Sequence, residues 1–255
     1  MLSANPDTPN VIYKHGQWQS LQCEARRLAT STCARATCFQ HRQIYLVGDS
    51  HAERWFDYWL SGAPFLPSSC GLRAFEFDAW RFLTSGVRRT ARDDDNNVTL
   101  HYIPHALPTQ IGSSLSSLAM FDSIAGAGAS AVVLMSIGSD LVNRNPGLFA
   151  RELHKLTTGV QHLRAVSPTT PTFYINAVDA AARSGGGERS GIAGCLGDST
   201  WLLHRINTMA VNEWRSVSDT TGILMLNSRE HAYTSRSIEE TMIDEMNMFM
   251  STICP

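Results

Sequence analysis

The sequence has no excess of either charge and no apolar run long enough to cross a bilayer. Its 255 residues include 21 Lys and Arg against 23 Asp and Glu, a formal net charge of −2. The basic field typical of nucleic-acid-binding proteins is therefore missing. A membrane-spanning helix needs about 20 consecutive apolar residues, and no stretch approaches that length. We expect neither a nucleic-acid partner nor a membrane span in this chain.

Cysteine pairs with metal-binding spacing are also missing. The six cysteines are scattered and form no Cys-x-x-Cys pair, so we expect no metal site, and no motif implies an organic cofactor. An even number of scattered cysteines fits disulfides in an oxidising compartment, but it fits six buried thiols as well. Asn97-Val98-Thr99 is a glycosylation sequon and adds a little weight to the first interpretation.

The first ten residues lack the apolar segment of a signal peptide. They are polar and contain two prolines, so no leader is visible in them. We expect either a cytosolic domain or a fragment of a longer secreted protein.

Alternating strand and helix patterns run through most of the chain. Hydrophobic residues make up 43% of the sequence, enough for a sizeable core. Apolar runs at 43–47, 98–103, 131–137, 172–178 and 223–226 predict strands, and helical spacing predicts helices at 51–60, 115–125, 146–166, 200–216 and 237–253. This alternation predicts an α/β domain over 41–255, with about five parallel strands between helices on both faces. Residues 1–40 are predicted to be an extension packed on that domain, and the mixed-charge run 88–95 a solvated loop.

The tripeptide Gly48-Asp49-Ser50 stands between a predicted strand and an aromatic-rich helix. Such a turn places a side chain at the carboxyl edge of the sheet, where open α/β folds bind ligands. The N-terminus of the next helix offers N–H groups to a developing oxyanion. Ser50 is therefore a candidate nucleophile. The alternative is that Asp49 and Ser50 only cap the helix.

A serine nucleophile needs a base within hydrogen-bond reach. His231, beside Glu230, lies between the last predicted strand and the last predicted helix. His51, His101 and His105 are further candidates near the same sheet edge, and His105 follows a strand directly. For each of them, an ordinary polar residue at a strand end or in a loop is the competing interpretation.

A third candidate segment, Gly138-Ser139-Asp140-Leu141, follows the predicted strand 131–137 and should face the same site. An enzyme would place a neutral donor here to stabilise an oxyanion. Ionised Asp140 would repel that charge, but it could orient a histidine as the acid of a rearranged triad.

Several segments of the chain follow one another in a distinctive order. They are Gly16-Gln17-Trp18 with Cys23, Cys38 leading into IYLVGDSHAERWFDYW at 44–59, HALP at 105–108, FDSIAGAGASAVVLMSIGSDL at 121–141, FARE at 149–152, the Ser-Pro-Thr-Thr stretch at 167–170, MNMFM at 246–250 and Ile-Cys-Pro at 253–255. In this order they resemble the C-terminal, PC-esterase-like region of the neurexophilin and PC-esterase (NXPE) family. The resemblance implies a three-layer, flavodoxin-like fold of the SGNH-hydrolase type. It also implies paired cysteines and a location that is secreted or in the Golgi or ER lumen.

The resemblance also implies chemistry on acyl groups of carbohydrate, by an esterase or an O-acetyltransferase. Ser50 would be the nucleophile and His231 the base, oriented by Glu230 or Asp140. The predicted partner is a glycan or another acylated carbohydrate. The predicted substrate contacts are Asp49, His51, Arg54, His105, Gly138 and Ser139.

Two departures from the family pattern leave the activity open. The family usually reads Gly-Ala-His-Phe where this chain reads Gly138-Ser139-Asp140-Leu141, and its Asp-x-His-Pro stretch falls on Thr234, Arg236 and Ser237. A second hypothesis is therefore a catalytically silent domain that binds a glycan or a protein partner. A third is a flavodoxin-like binding domain without acyl chemistry.

Overall fold

The fold is built on one mixed sheet with helices on both faces. The computed structural model describes residues 11–14, 17–20, 39–60, 76–77, 88–94, 96–105, 117–138, 146–175, 199–217, 222–226 and 238–253. The strands are β1 (Val11–Lys14), β2 (Gln17–Ser20), β3 (Gln43–Gly48), β4 (Glu76–Phe77), β5 (Arg89–Asp93), β6 (Val98–Pro104), β7 (Ala131–Ser136), β8 (Thr172–Ile175) and β9 (Leu224–Leu226). The helices are α1 (Ser50–Leu60), α2 (Ser117–Ala125), α3 (Pro146–Val166), α4 (Ser199–Ser216) and α5 (Ile238–Ile253).

Seven strands form the main sheet in the order β4-β5-β6-β3-β7-β8-β9. The five from β6 to β9 are parallel and correspond to the five predicted strands. Their order is that of a flavodoxin-like sheet. The predicted α/β fold class is confirmed, and β5 and β4 extend the sheet by antiparallel pairing beyond the prediction.

A separate two-stranded hairpin, formed by β1 and β2, precedes this sheet. The other residues of 1–38 lie outside the described residues. The predicted packed extension therefore stays a prediction.

Two apolar cores lie on opposite faces of the sheet, because side chains along each strand alternate in direction. Ile44, Leu46 and Leu134 pack with apolar residues of α1 and α5. Val47 and Val133 pack on the other face with residues of α2, α3 and α4. The sheet and the helices on its two faces make the three layers. None of the described helices is long and apolar enough to span a membrane.

The prediction of a solvated loop at 88–95 is wrong, because residues 89–93 form strand β5 with alternating burial. Arg89 is buried, and its guanidinium lies 2.5 Å from Asp57 Oδ1, 3.4 Å from Glu53 Oε1 and 4.6 Å from the centre of the Phe56 ring. The guanidinium can be buried in β5 because the carboxylates of Glu53 and Asp57 and the ring of Phe56 replace the water that it loses.

His101 on β6 should make the folded state sensitive to acid. Its ring stacks on Tyr45 with centroids 4.5 Å apart, and burial, helped by Arg88 and Arg92, lowers its pKa to about 4. The unfolded chain therefore takes up a proton below about pH 6.5 that the folded chain refuses. Stability is lost as pH falls from 6.5 towards 4.

The expected result is a loss of about 1–2 kcal/mol between pH 7.5 and pH 5, after allowance for screening of a partly exposed ring. Urea unfolding of the wild type and His101→Gln at both pH values measures it. Between the two pH values, the free energy of unfolding of His101→Gln should fall by about 1–2 kcal/mol less than that of the wild type. Equal losses in the two proteins would contradict the assignment.

Candidate active site

The segment Gly48-Asp49-Ser50, called here the serine turn, joins β3 to α1 at the carboxyl edge of the parallel strands. Ser50 is the first residue of α1 and is half-buried. Asp49 N–H donates to the Ser136 carbonyl at 3.2 Å, and the Gly48 carbonyl accepts from His105 N–H at 2.8 Å. The turn is thus fixed to both neighbouring strands, β7 and β6. It lies where the order of the strands reverses, the usual ligand position in such sheets.

Only glycine fits at position 48, because the backbones of β3 and β7 approach closely there. A Cβ atom built on Gly48 would lie 1.8 Å from the Ser136 carbonyl oxygen. The short turn, and with it the position of Ser50, therefore depends on this missing side chain.

The Asp49 carboxylate stabilises the serine turn from inside. It is buried; its Oδ1 accepts from His51 N–H at 3.1 Å, and its Oδ2 accepts from Gly138 N–H at 2.7 Å. The first contact caps α1, and the second fastens the turn to the residues that follow β7. The Gly138 amide, a natural candidate for oxyanion binding, is engaged by Asp49 in this arrangement.

A buried tyrosine lies beside this carboxylate. The Tyr174 hydroxyl donates to the Ile137 carbonyl at 3.3 Å. Burial, with a further contribution from the Asp49 charge, raises the pKa of Tyr174 well above its usual range. The phenol therefore stays neutral next to the turn.

The His51 ring points into the core between α1 and α5. Its Nε2 lies 3.0 Å from Glu245 Oε2, which also accepts from Trp55 Nε1–H at 2.9 Å. Burial alone would lower the pKa of His51, but the Glu245 carboxylate outweighs it, with help from Asp49 and against Arg54, so the pKa is raised. A cavity beside the ring measures about 10 Å³, room for about one water and too small for an acyl substrate.

His105 and Glu152 form a second histidine–carboxylate pair at this edge of the sheet. His105 Nε2 lies 3.3 Å from Glu152 Oε2, although the angle is poorer than that of a good hydrogen bond. Lys155 Nζ lies 2.9 Å from the other carboxylate oxygen. His105 first, and Lys155 next, lower the pKa of Glu152 to about 2 against the effect of burial. Glu152 is therefore ionised at neutral pH.

Sequence reasoning missed both glutamates, although each carries a local signal. Glu245 precedes Met246 and stands four residues before Phe249, both fully buried. Glu152 lies next to the buried Leu153 on α3. A charged residue inside an apolar helical stripe predicts a buried partner, but it does not say which one.

The predicted site residues fall into two groups. The structure brings Asp49, Ser50, His51, His105 and Gly138 to one edge of the sheet, and Arg54 stands one turn from Ser50 on α1 and is partly exposed. Ser139, Asp140, Glu230 and His231 lie outside the described residues, as do all six cysteines. The catalytic and substrate-binding roles assigned to these residues stay predictions.

No group of three or more metal-binding side chains occurs within the described part of the chain.

Residues 18–185 match the family model described as NXPE family member 4-like, C-terminal domain. The match covers more than half of the chain and contains the serine turn, His105, Gly138 and Glu152. It ends before the last strand and helix. The chain therefore belongs to the NXPE family, in the region of that family's C-terminal domain.

Proposed function

We propose that the domain is a serine-dependent esterase or O-acetyltransferase acting on acyl groups of carbohydrate, with Ser50 as the nucleophile. The observation that carries the proposal is the half-buried Ser50 at the start of α1, in a turn fixed to strands on both sides. Membership of the NXPE family supports the chemistry, because the sequence resembles the PC-esterase-like region of that family. The N-terminal amides of a helix lack intrahelical partners and can stabilise negative charge there.

The proposed reaction has two halves. Ser50 Oγ attacks the acyl carbon and loses its proton to a base, the substrate C–O bond breaks, and the alcohol leaves with that proton. Water then takes the acyl group in an esterase, or a sugar hydroxyl takes it in a transferase. His231, oriented by Glu230 or Asp140, is the base that the sequence predicts. Arg54, one turn beyond Ser50 on α1, is a predicted substrate contact.

A catalytically silent domain that binds a glycan or a protein partner is the second candidate. Two contacts favour it: Asp49 engages the Gly138 amide, and Glu245 holds the His51 ring in the core. The replacement of the family's acid and base positions by Thr234 and Arg236 points the same way.

We propose that the protein is secreted or resides in the Golgi or ER lumen. Asn97 of the sequon is exposed in the turn between β5 and β6, where such acceptors are found. A mass loss after glycosidase treatment of protein from a eukaryotic secretory host would support this; a mass equal to the bare chain would oppose it.

Replacement of Ser50 by Ala tests the enzyme proposal. We expect hydrolysis of 4-nitrophenyl acetate or an O-acetylated sugar to fall by at least about 1,000-fold, because the nucleophile is lost. Ser123→Ala, at an exposed position on α2, is the matched control and should keep the wild-type rate. If wild type and Ser50→Ala share one background rate while glycan binding is measurable, the silent domain is correct.

A further inference from the structure

We infer that His105, positioned by Glu152, is the base that takes the proton from Ser50. This inference rests on the proposed function, since it concerns the same nucleophile. It replaces the predicted role of His231 with a residue from the middle of the chain. Its basis is that Ser50 follows β3 and His105 follows β6, and that these two strands are paired.

The backbone places His105 next to the serine turn. Pro104 is the register partner of Gly48, and His105 N–H donates to the Gly48 carbonyl at 2.8 Å. Ser50 lies two residues beyond that carbonyl. Standard backbone dimensions then put the Cα atoms of Ser50 and His105 within about 10 Å. Both side chains therefore start from the same end of the β3–β6 pair.

Glu152 gives the imidazole the orientation that a base needs. Its side chain is 3% exposed, and its carboxylate lies on the Nε2 side of the ring. An ionised carboxylate there favours the tautomer with the proton on Nε2 and leaves the Nδ1 lone pair as acceptor. Lys155 on the second oxygen keeps the carboxylate charged. The pair thus has the relation of acid to base found in serine triads, with the two ring nitrogens exchanged.

The other described histidines near this edge are committed elsewhere. His51 is held by Glu245 in the core between α1 and α5, on the other face of the sheet from α3. His101 lies within β6, four residues before His105, and stacks on Tyr45, 3.1 Å from the Thr90 hydroxyl. His105 combines a backbone bond to the serine turn with a buried carboxylate partner.

The proton balance is simple. As Oγ of Ser50 bonds to the acyl carbon, its proton moves to Nδ1 of His105, and Glu152 remains ionised beside the resulting imidazolium. The ring then gives that proton to the oxygen of the leaving alcohol. In the second half, the same nitrogen takes a proton from water or a sugar hydroxyl and returns it to Ser50 Oγ.

Ester hydrolysis and labelling of Ser50 by a fluorophosphonate, read by intact mass, test the inference on the full chain. We expect His105→Gln and His105→Gly to lower both rates by at least about 100-fold, and added imidazole to restore part of the His105→Gly rate. Glu152→Gln should lower kcat with little change in KM, because it positions the base without touching substrate. His101→Gln, the matched control within the preceding strand β6, should keep the wild-type rates. His231→Gln is measured beside it, and folding of each variant is checked by circular dichroism.

The outcomes separate the two proposals. If Ser50→Ala abolishes hydrolysis while His105→Gln retains it and His231→Gln loses it, the enzyme proposal stands and the inference about His105 is wrong. Loss of activity in folded His105→Gly without any rescue by imidazole also counts against the base role. If the wild type neither hydrolyses esters nor labels at Ser50, the proposed function fails, and the inference falls with it.

Discussion

Replacing Gly48 by alanine should destabilise the domain by about 3 kcal/mol or more and displace Ser50. The added Cβ would lie 1.8 Å from the Ser136 carbonyl oxygen, a backbone atom that cannot rotate away. Relief requires β3 and β7 to separate, which breaks the parallel pairing of these central strands and the Asp49 N–H bond to Ser136. Overpacking against a fixed backbone has costs of this size.

Urea unfolding at neutral pH measures this effect, with Gly128→Ala as the control. Gly128 has a φ of 62°, but a Cβ there would meet nothing within 4 Å. That variant should lose only about 1 kcal/mol, from the strained conformation. Similar losses in the two variants would show that close approach at Gly48 is not what matters. Any ester hydrolysis should fall with Gly48→Ala even though Ser50 is intact.

Replacing Glu245 by alanine should cost about 3–5 kcal/mol, the usual result of breaking a buried pair on one side. The Glu245 side chain is 0% exposed, and one of its oxygens serves both His51 and Trp55. Its removal leaves two buried polar groups without that acceptor and opens space between α1 and α5. Glu245→Gln, which keeps an acceptor for Trp55, should cost less.

The control for Glu245 is the histidine–glutamate pair at the surface, His154 with Glu213. His154 Nδ1 lies 3.2 Å from Glu213 Oε1, with the histidine side chain 75% exposed. Glu213→Ala should change the free energy of unfolding by less than about 1 kcal/mol. A loss on Glu245→Ala no larger than that of Glu213→Ala would show that the buried pair is not a stabilising contact.

The contribution of Glu245 should also depend on pH. Because the pKa of His51 is raised in the folded state, the stability from the charged pair is fully present below about pH 6.5 and is lost as pH rises through the folded pKa. The stability difference between wild type and Glu245→Gln should therefore shrink in alkaline solution. A difference that stays constant with pH would mean that His51 does not titrate while folded.

The fold could be predicted from sequence where one physical signal dominated. Strands buried on both faces are nearly continuous apolar runs, as in Ala131–Ser136, where every residue is buried. Strand β5 could not be predicted in this way. Its Arg89 is buried only because Glu53 and Asp57 stand on a helix more than 30 residues earlier in the chain, and no local pattern contains that pairing.

The site shows the same division. The position of Ser50 follows from a strand, a tight turn and a helix that are adjacent in sequence. Glu152 and Glu245 were missed because their partners, His105 and His51, are distant in the chain and each pair forms only in the folded domain. Local patterns therefore predict where Ser50 lies, whereas the carboxylates beside His105 and His51 are visible only in the folded domain.

The contact between α1 and α5 also has a consequence for the order in which the protein is assembled on the ribosome. His51 and Glu245 are 194 residues apart, so α1 is synthesised long before its buried partner on α5. Until residue 245 has emerged, His51 and Trp55 lack this carboxylate and α1 lacks the cover of Phe249 and Met250. Such non-local closure is slow and leaves apolar surface open in the meantime. Nascent chains arrested before residue 245 should expose α1 to proteases and chaperones, and complete chains should protect it.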